Sequence, residues 1–362
     1  MSFISAIVIF FAIYTAISFY VGYNGWVWLN STRLRVNKFV YIGVIVFVSI
    51  SMFIGRFSLF SPMELIGYLW LVIIGYGLIL LPVANLLIYL LKKKGIFWIG
   101  LTVIAIFIFI FAYGLFNAWS PVVKTYDIQI DKEGKEENVK ILMASDLHIG
   151  QIVGEKHLQR LVDLAENIQP DIILIPGDII DDFIDPYLEK NMGKTLANLR
   201  APLGVYAVPG NHDYYGSDLE VLGKELEKAG IHMLEDETVF VHDLFYLVGR
   251  NDLTDDNRKE VKELVKGLDH KKPIIMLDHQ PKELDIAEQS GIDLVLSGHT
   301  HRGQMAPANL ITEMIFENDW GHLQKESLHS IVSSGFGTWG PPLRIGSRAE
   351  VVVINLTFKS EL

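Results

Sequence analysis

The chain has 362 residues, half of them hydrophobic, with a formal net charge of −11 and no cysteine. Disulfides and thiolate metal ligands are thereby excluded, and no basic tract offers a surface for nucleic acid. Residues 1–124 carry eight Lys/Arg and one Asp/Glu, whereas the remainder carries 23 basic and 41 acidic side chains. An almost uncharged first third thus precedes an acidic polar domain, and the boundary is expected near residue 120.

The first third holds four apolar runs, at about Phe3–Leu29, Phe39–Phe57, Leu65–Leu91 and Ile96–Trp119. Each reaches the ~20 residues that cross a bilayer core as a helix. Tyr23, Trp26, Trp28, Trp98 and Trp119 stand at their ends, where headgroups favour aromatic rings. The first run has no basic leading region and is too long for a cleaved signal. Residues 1–120 are therefore read as a transmembrane anchor of four helices. Arg33, Arg35 and Lys38 fill the first loop and Lys92, Lys93 and Lys94 the third. The positive-inside bias places both loops in the cytoplasm and the acidic domain outside it. Only Arg56 and Glu64 are charged near the runs, and Asn85 inside the third is read as a helix–helix hydrogen bond. A transporter would need buried ionisable groups, so these helices read as an anchor.

After Ser120-Pro121, Asp127–Asp131 alternates as a strand and Lys132–Asn138 turns, so a hairpin is expected to open residues 121–362. Five apolar runs then end in polar residues. They are Ile141–Ala144 before Asp146-Leu147-His148, Ile172–Ile175 before Gly177-Asp178, and Val205–Val208 before Gly210-Asn211-His212-Asp213. Ile274–Leu277 follows before Asp278-His279, then Leu294–Leu296 before Gly298-His299-Thr300-His301. Helical periodicity falls between them, at about Glu155–Ile168, Tyr187–Leu199, Asp218–Ala229, Asp255–Leu268 and Pro281–Gln289. The alternation indicates an α/β core. In an open α/β sheet ligands bind at the carboxyl ends of strands. Five strands would deliver Asp, His and Asn to one rim, a hard-to-borderline metal site with Asp178 at its centre. Further on come a strand at Leu328–Ser334, a Gly-rich loop at Gly335–Gly346 and a last strand at Glu350–Leu356. The loop can be a structural turn or can line a substrate pocket, and its Arg344 could hold a phosphate oxygen.

These blocks, in this order, resemble the five signature blocks of the calcineurin-like metallophosphoesterase superfamily over residues 139–356. The run Ser334–Arg344 is similar to the membrane-associated bacterial branch, which usually continues its last His pair with Gly-Gly-Gln; here Arg302-Gly303-Gln304 follows. The resemblance implies an αββα sandwich, two sheets flanked by helices. It implies one metal on Asp146, His148, Asp178 and His301, and a second bridged by Asp178 and held by Asn211, His279 and His299. Two divalent cations (Mn, Fe or Zn suit imidazole and oxygen donors) would then hydrolyse a phosphate ester or pyrophosphate with a metal-activated hydroxide. His212 would act as general acid or transition-state donor near the leaving oxygen, Asp213 would orient it and Asp181 would support the ligands from behind. Arg302 would add a cation beside the substrate. His157, His232, His242, His270, His322 and His329 are expected to have no special role, Asp278 a structural one, and Asp255-Asp256 to begin a helix. The contrasting reading is a non-catalytic, membrane-anchored scaffold that keeps the fold. With about seven residues expected between the last helix and the first strand near Tyr126, the domain sits close to the bilayer. A lipid-linked phosphate is then the expected substrate.

Overall fold

The computed structural model describes residues 3–58, 61–134 and 138–360. The chain divides into two compact units, Met1–Tyr113 with Gly340–Pro342, and Gly114–Trp339 with Leu343–Leu362.

The first unit is built from α1 (Phe3–Ser31), α2 (Lys38–Ser58), α3 (Ser61–Leu90) and most of α4 (Ile96–Trp119). Among the described residues four spans are long and apolar enough to cross a membrane, and most of their large apolar side chains face outward. Polar groups and small residues join the helices, as expected where lipid supplies no hydrophobic drive. Asn85 Nδ2 donates to the Tyr20 hydroxyl at 3.0 Å, the helix–helix bond expected of it. Tyr14 and Tyr41 hydroxyls donate to the Ser49 and Gly22 carbonyls, each at 2.6 Å. At Gly67 a Cβ would strike the backbone of Met52, so glycine sets the close crossing of α2 and α3.

The second unit begins with the last turns of α4, at Gly114. It continues through β1 (Val122–Gly134), β2 (Asn138–Met143), α5 (Glu155–Ile168), β3 (Ile172–Pro176), α6 (Asp185–Glu189), α7 (Gly193–Leu196) and β4 (Val205–Val208). Next come α8 (Asn211–Tyr215), α9 (Leu219–Lys228), β5 (His232–Met233), β6 (Glu237–Val241), β7 (Phe245–Gly249), α10 (Val261–Leu264) and β8 (Ile274–Leu277). The chain ends with α11 (Leu284–Gln289), β9 (Leu294–Ser297), α12 (Asn309–Ile315), β10 (Gly321–Lys325), β11 (Leu328–Val332) and β12 (Glu350–Ser360).

Among the described residues the strands form two six-stranded sheets, ordered β1-β12-β2-β3-β4-β5 and β10-β11-β9-β8-β7-β6. Residues of both, including Ile141, Leu174, Phe245, Leu277 and Leu294, make one buried cluster between the sheets. A second cluster joins the outer face of the first sheet to α5, α7 and α9. A third joins the other sheet to α10 and α11. The order helix–sheet–sheet–helix is the αββα sandwich. The five site strands β2, β3, β4, β8 and β9 are each apolar on both faces, as the inner strands of a covered sheet must be.

Three expectations change. The opening hairpin does not form: β12 lies between β1 and β2, parallel to the first and antiparallel to the second. The helix expected at 187–199 breaks into α6 and α7 around Asn191, which takes a φ of 51°. Asp255 starts no helix, because its carboxylate and that of Asp252 bond the nearby Asn257 and Thr254 N–H groups and close turns. Only α10 remains of that segment.

Candidate metal centre

Three of the site strands, β2, β3 and β9, end in a sharp change of backbone. Asp146, His148, Asp178, His299 and His301 all have φ between 45° and 69°, a left-handed conformation rare for residues with side chains. The chain thus leaves the sheet plane and turns these side chains back over the strand ends. Such conformations persist where surroundings over-determine them, commonly at functional sites. Here the loops bond one another: Asp146 N–H to Gly177 O and His148 N–H to Asp178 O, both at 3.0 Å. Glycines allow the close approach. A Cβ on Gly210 would strike the Asp178 carboxylate, and one on Gly298 would strike that of Asp146. The variant Gly298→Ala should therefore lower the melting temperature by several degrees and weaken cation binding; an unchanged thermal-shift profile would contradict this packing.

The geometry brings the expected ligands together. Asp146, His148, Asp178 and His301 offer donor atoms that all lie within 4.8 Å of one another, and all four residues are buried. His148 Nε2 and His301 Nε2 are 3.0 Å apart. His301 Nε2 lies 3.4 Å from Asp146 Oδ1 and His148 Nε2 lies 3.6 Å from Asp178 Oδ2. Beside this group, His279 Nε2 stands 3.2 Å from both Asp178 Oδ2 and Asn211 Oδ1. His299 Nδ1 is 2.8 Å from Asn211 Oδ1. Asp178 touches both groups. His279 is oriented by its other nitrogen, whose N–H donates to Pro176 O at 2.9 Å and leaves Nε2 free to ligate.

The donor set fits divalent cations. Two buried carboxylates face four imidazoles and an amide oxygen. Asp146 Oδ2 is buried without a hydrogen-bond partner among the described residues, which is costly unless a ligand satisfies it. Burial pushes the Asp146 carboxyl up to about 6, with Asp178 adding to the rise. Burial also pulls His148 down to about 3 and His299 to about 4, and holds His301 well below its usual value. These rings are neutral at pH 7, the state in which imidazole ligates. For Asp178, burial acts upward but the attraction and hydrogen bond of His279, with His148 and His212, hold it below the usual range.

His212 sits at the mouth of the site. Its Nδ1 pairs with Asp182 Oδ1 at 2.6 Å, and its ring lies edge-on to Tyr215 and Trp339 at 5.1 and 6.1 Å. Asp182 was not singled out in the sequence; it is the third carboxylate of Asp178-Ile-Ile-Asp181-Asp182, and spacing gives no sign of which one turns toward a histidine. The expected partner, Asp213, does something else. Its carboxylate accepts the N–H groups of Ile179, Ile180 and Gly210 at 2.8 to 3.2 Å and ties the two ligand loops together from below. Asp181 Oδ1 stands 3.7 Å from His148 Nδ1 and 3.9 Å from His212 Nδ1.

Arg344 also departs from expectation. It is fully buried, and its guanidinium donates to the carbonyls of Ser334, Gly335 and Gly337, with Nη2 3.1 Å from His301 Nδ1. With no exposed surface, Arg344 shapes the Gly-rich loop and backs His301. That loop bonds Ser145 and Asp146 carbonyls through Phe336 and Gly337 N–H, while Trp339 faces solvent beside His212. Arg302 is half-buried, with its guanidinium 4.0 Å above the Trp320 ring. His157 is buried, its Nε2 3.0 Å from Phe336 O and its ring edge-on to Trp119. Asp278 pairs with Arg250 and Arg258 at 3.1 and 3.0 Å, as a structural carboxylate does.

Comparison with known proteins names the class. Residues 139–303 match the model of the calcineurin-like phosphoesterase family. An uncharacterized metallophosphoesterase of Aquifex aeolicus is 34% identical over 259 residues, 68% of this chain and 96% of that protein. A "transmembrane protein with metallophosphoesterase domain" of Danio rerio is 34% identical over 67% of this chain, which spans 59% of the fish protein. A metallophosphoesterase of Helicobacter pylori is 33% identical over 67% of this chain and 65% of its own length. The chain belongs to the calcineurin-like metallophosphoesterase family, and it carries four candidate membrane spans before that domain.

Proposed function

We propose that this chain is a membrane-anchored phosphoesterase whose domain from residue 121 onward hydrolyses a phosphate ester or pyrophosphate on a lipid headgroup, on the extracytoplasmic side. The observation that carries the hydrolase reading is the convergence of Asp146, His148, Asp178 and His301 within 4.8 Å. Beside them Asn211, His279 and His299 form a second group that shares Asp178. Bound there, two divalent cations would polarise phosphoryl oxygens and acidify a water between them. The chain's own residues do the rest. Asp178 neutralises charge between the two groups, and its Oδ1 accepts the His212 N–H at 2.9 Å. His212, held by Asp182, is placed to give its proton to the leaving oxygen. Arg302, stacked on Trp320, supplies positive charge for the rest of the phosphate.

The lipid reading is supported by the short exit from the bilayer. Only Ser120 and Pro121 separate α4 from β1, fewer than the seven residues expected. The end of α4 is also bonded into the domain: Asn117 Nδ2 donates to Arg344 O at 3.1 Å, and Arg348 Nη2 donates to Ser120 Oγ at 2.8 Å. An enzyme held this close meets lipid substrates at high effective concentration. Full-length protein in mixed micelles tests the reading by surface dilution. At fixed bulk concentration, turnover of a lipid phosphate should fall as its mole fraction in the micelle falls, whereas an aryl phosphate should be unaffected. Absence of lipid turnover would remove the lipid assignment.

The side of the membrane can be read separately, because the natural chain has no cysteine. An impermeant maleimide on intact cells should label Lys228→Cys, on an exposed side chain of α9, and not Lys93→Cys in the third loop. The opposite pattern would reverse the orientation.

A further inference from the structure

We infer that α12 is an interfacial membrane-binding element, laid into the lipid surface beside the metal centre. The helix is short and has no buried residue. Leu310, Ile311, Met314 and Ile315 are 56%, 59%, 87% and 63% exposed. At 100° per residue these four positions fall within one arc of about 140°, while Asn309, Thr312 and Glu313 occupy the remainder. An acidic domain has no folding reason to present four large aliphatic side chains to water in one patch; such patches mark interaction surfaces. Trp339, 53% exposed, adds an aromatic ring of the kind that prefers headgroup depth.

The occupant is argued from continuity with the membrane helix. Arg344 N–H bonds the Gly114 carbonyl at 3.0 Å, within the last turns of α4. The next residue, Ile345, accepts the Ala306 N–H at 2.7 Å and donates to Gln304 O at 2.9 Å. Ala306 lies three residues before α12. The segment that receives the end of α4 is therefore the same one that launches α12, so the patch lies on the face where the chain leaves the bilayer. The polar side of the helix looks the other way. Thr312 Oγ1 donates to Asp319 Oδ2 at 2.8 Å, and Asp319 O accepts the Thr300 hydroxyl at 2.6 Å. Thr300 separates His299 from His301. One face of α12 is thus fastened to the turn that carries two candidate ligands, and the other is left for lipid. Glu313 is its one charged residue, so the attraction is apolar and should depend little on salt or on anionic lipid.

The inference deepens the lipid-substrate reading by naming the surface that meets the bilayer, and its test does not require turnover. Full-length Met314→Cys and Glu313→Cys, labelled with an environment-sensitive fluorophore, would be placed in nanodiscs of zwitterionic lipid. The Met314 label should be quenched by a nitroxide carried at shallow depth on the lipid and shielded from iodide. The Glu313 label should remain open to iodide. A Met314 label that iodide reaches and the lipid nitroxide does not would overturn the proposal. So would shielding from both, which would mean protein covers the helix. As a second readout, Ile311→Glu with Met314→Glu, which removes two apolar side chains from the lipid surface, should lower the ratio of lipid to aryl turnover about tenfold or more. Shallow insertion without lipid turnover would leave this surface in place and refute the substrate reading instead.

Discussion

Asp178→Asn is expected to abolish measurable phosphoesterase activity and to remove both cations from a chain that still folds. Asp178 is the one residue placed in both groups of donors, within 3.6 Å of His148 and 3.2 Å of His279. Loss of an outer hydrogen-bond partner of a metal site typically costs 10–100-fold, and a ligand shared by two cations should cost more, at least about 10³-fold. Folding should survive because an asparagine Oδ1 can still accept the His212 N–H that Asp178 Oδ1 accepts at 2.9 Å. The stability effect has a definite sign. Without metal, the attraction and hydrogen bond of His279, with His148 and His212, hold the Asp178 carboxyl below its usual range, so removing its charge gives up a stabilising contribution and should lower the melting temperature at neutral pH. With metal, the wild type should gain stability in proportion to ligand excess over Kd, and the variant should not. Thermal melts with and without Mn or Zn, alongside metal analysis, read this directly. Two cations retained per chain would show that Asp178 is no bridge.

The four spans and the five strands that carry the candidate ligands were legible because each rests on a local rule. Twenty apolar residues satisfy a bilayer, and a short β-branched run closed by Pro-Gly or Ser-Gly satisfies a covered strand. The ligand types followed from the polar residues at those strand ends. What the sequence could not show depends on contacts between distant segments. β12 enters between β1 and β2 across more than 200 residues, and nothing local marks that neighbour. The pairing of His212 with Asp182 rather than its own neighbour Asp213 joins residues 30 apart in the chain, and nothing local to either marks it. Arg344 read as a substrate contact because a Gly-rich loop near a His pair commonly opens onto a site. Its burial shows only once three carbonyls of that loop are seen to converge on it. The apolar face of α12 is hidden in the sequence for a related reason: seven residues are too few for periodicity to stand out.

His212→Gln should lower kcat by about 10²–10⁴-fold, the usual range for a lost acid–base group, while leaving the cations in place. His212 Nδ1 is engaged by Asp182 at 2.6 Å, so although His148, Asp181 and His212 could themselves gather a cation, that nitrogen is already committed. Burial alone would lower the ring's pKa, but the Asp182 hydrogen bond and the charges of Asp178, Asp182 and Asp181 outweigh it and raise the pKa above 6.5. The sign of the pH dependence follows. A general acid must be protonated, so activity should be full below the raised pKa and fall as pH rises through it. Asp182→Asn removes the partner that does most to hold the proton, so the basic limb of the kcat profile should move to lower pH, with metal content unchanged. Asp213→Asn should behave differently. Its carboxylate bonds three backbone N–H groups under the ligand loops and does not hold the His212 ring, so the expected result is a lower melting temperature with the basic limb where it was. If Asp213→Asn shifted that limb and Asp182→Asn did not, the proton donor would be oriented from the other side and the division of roles drawn here would be wrong.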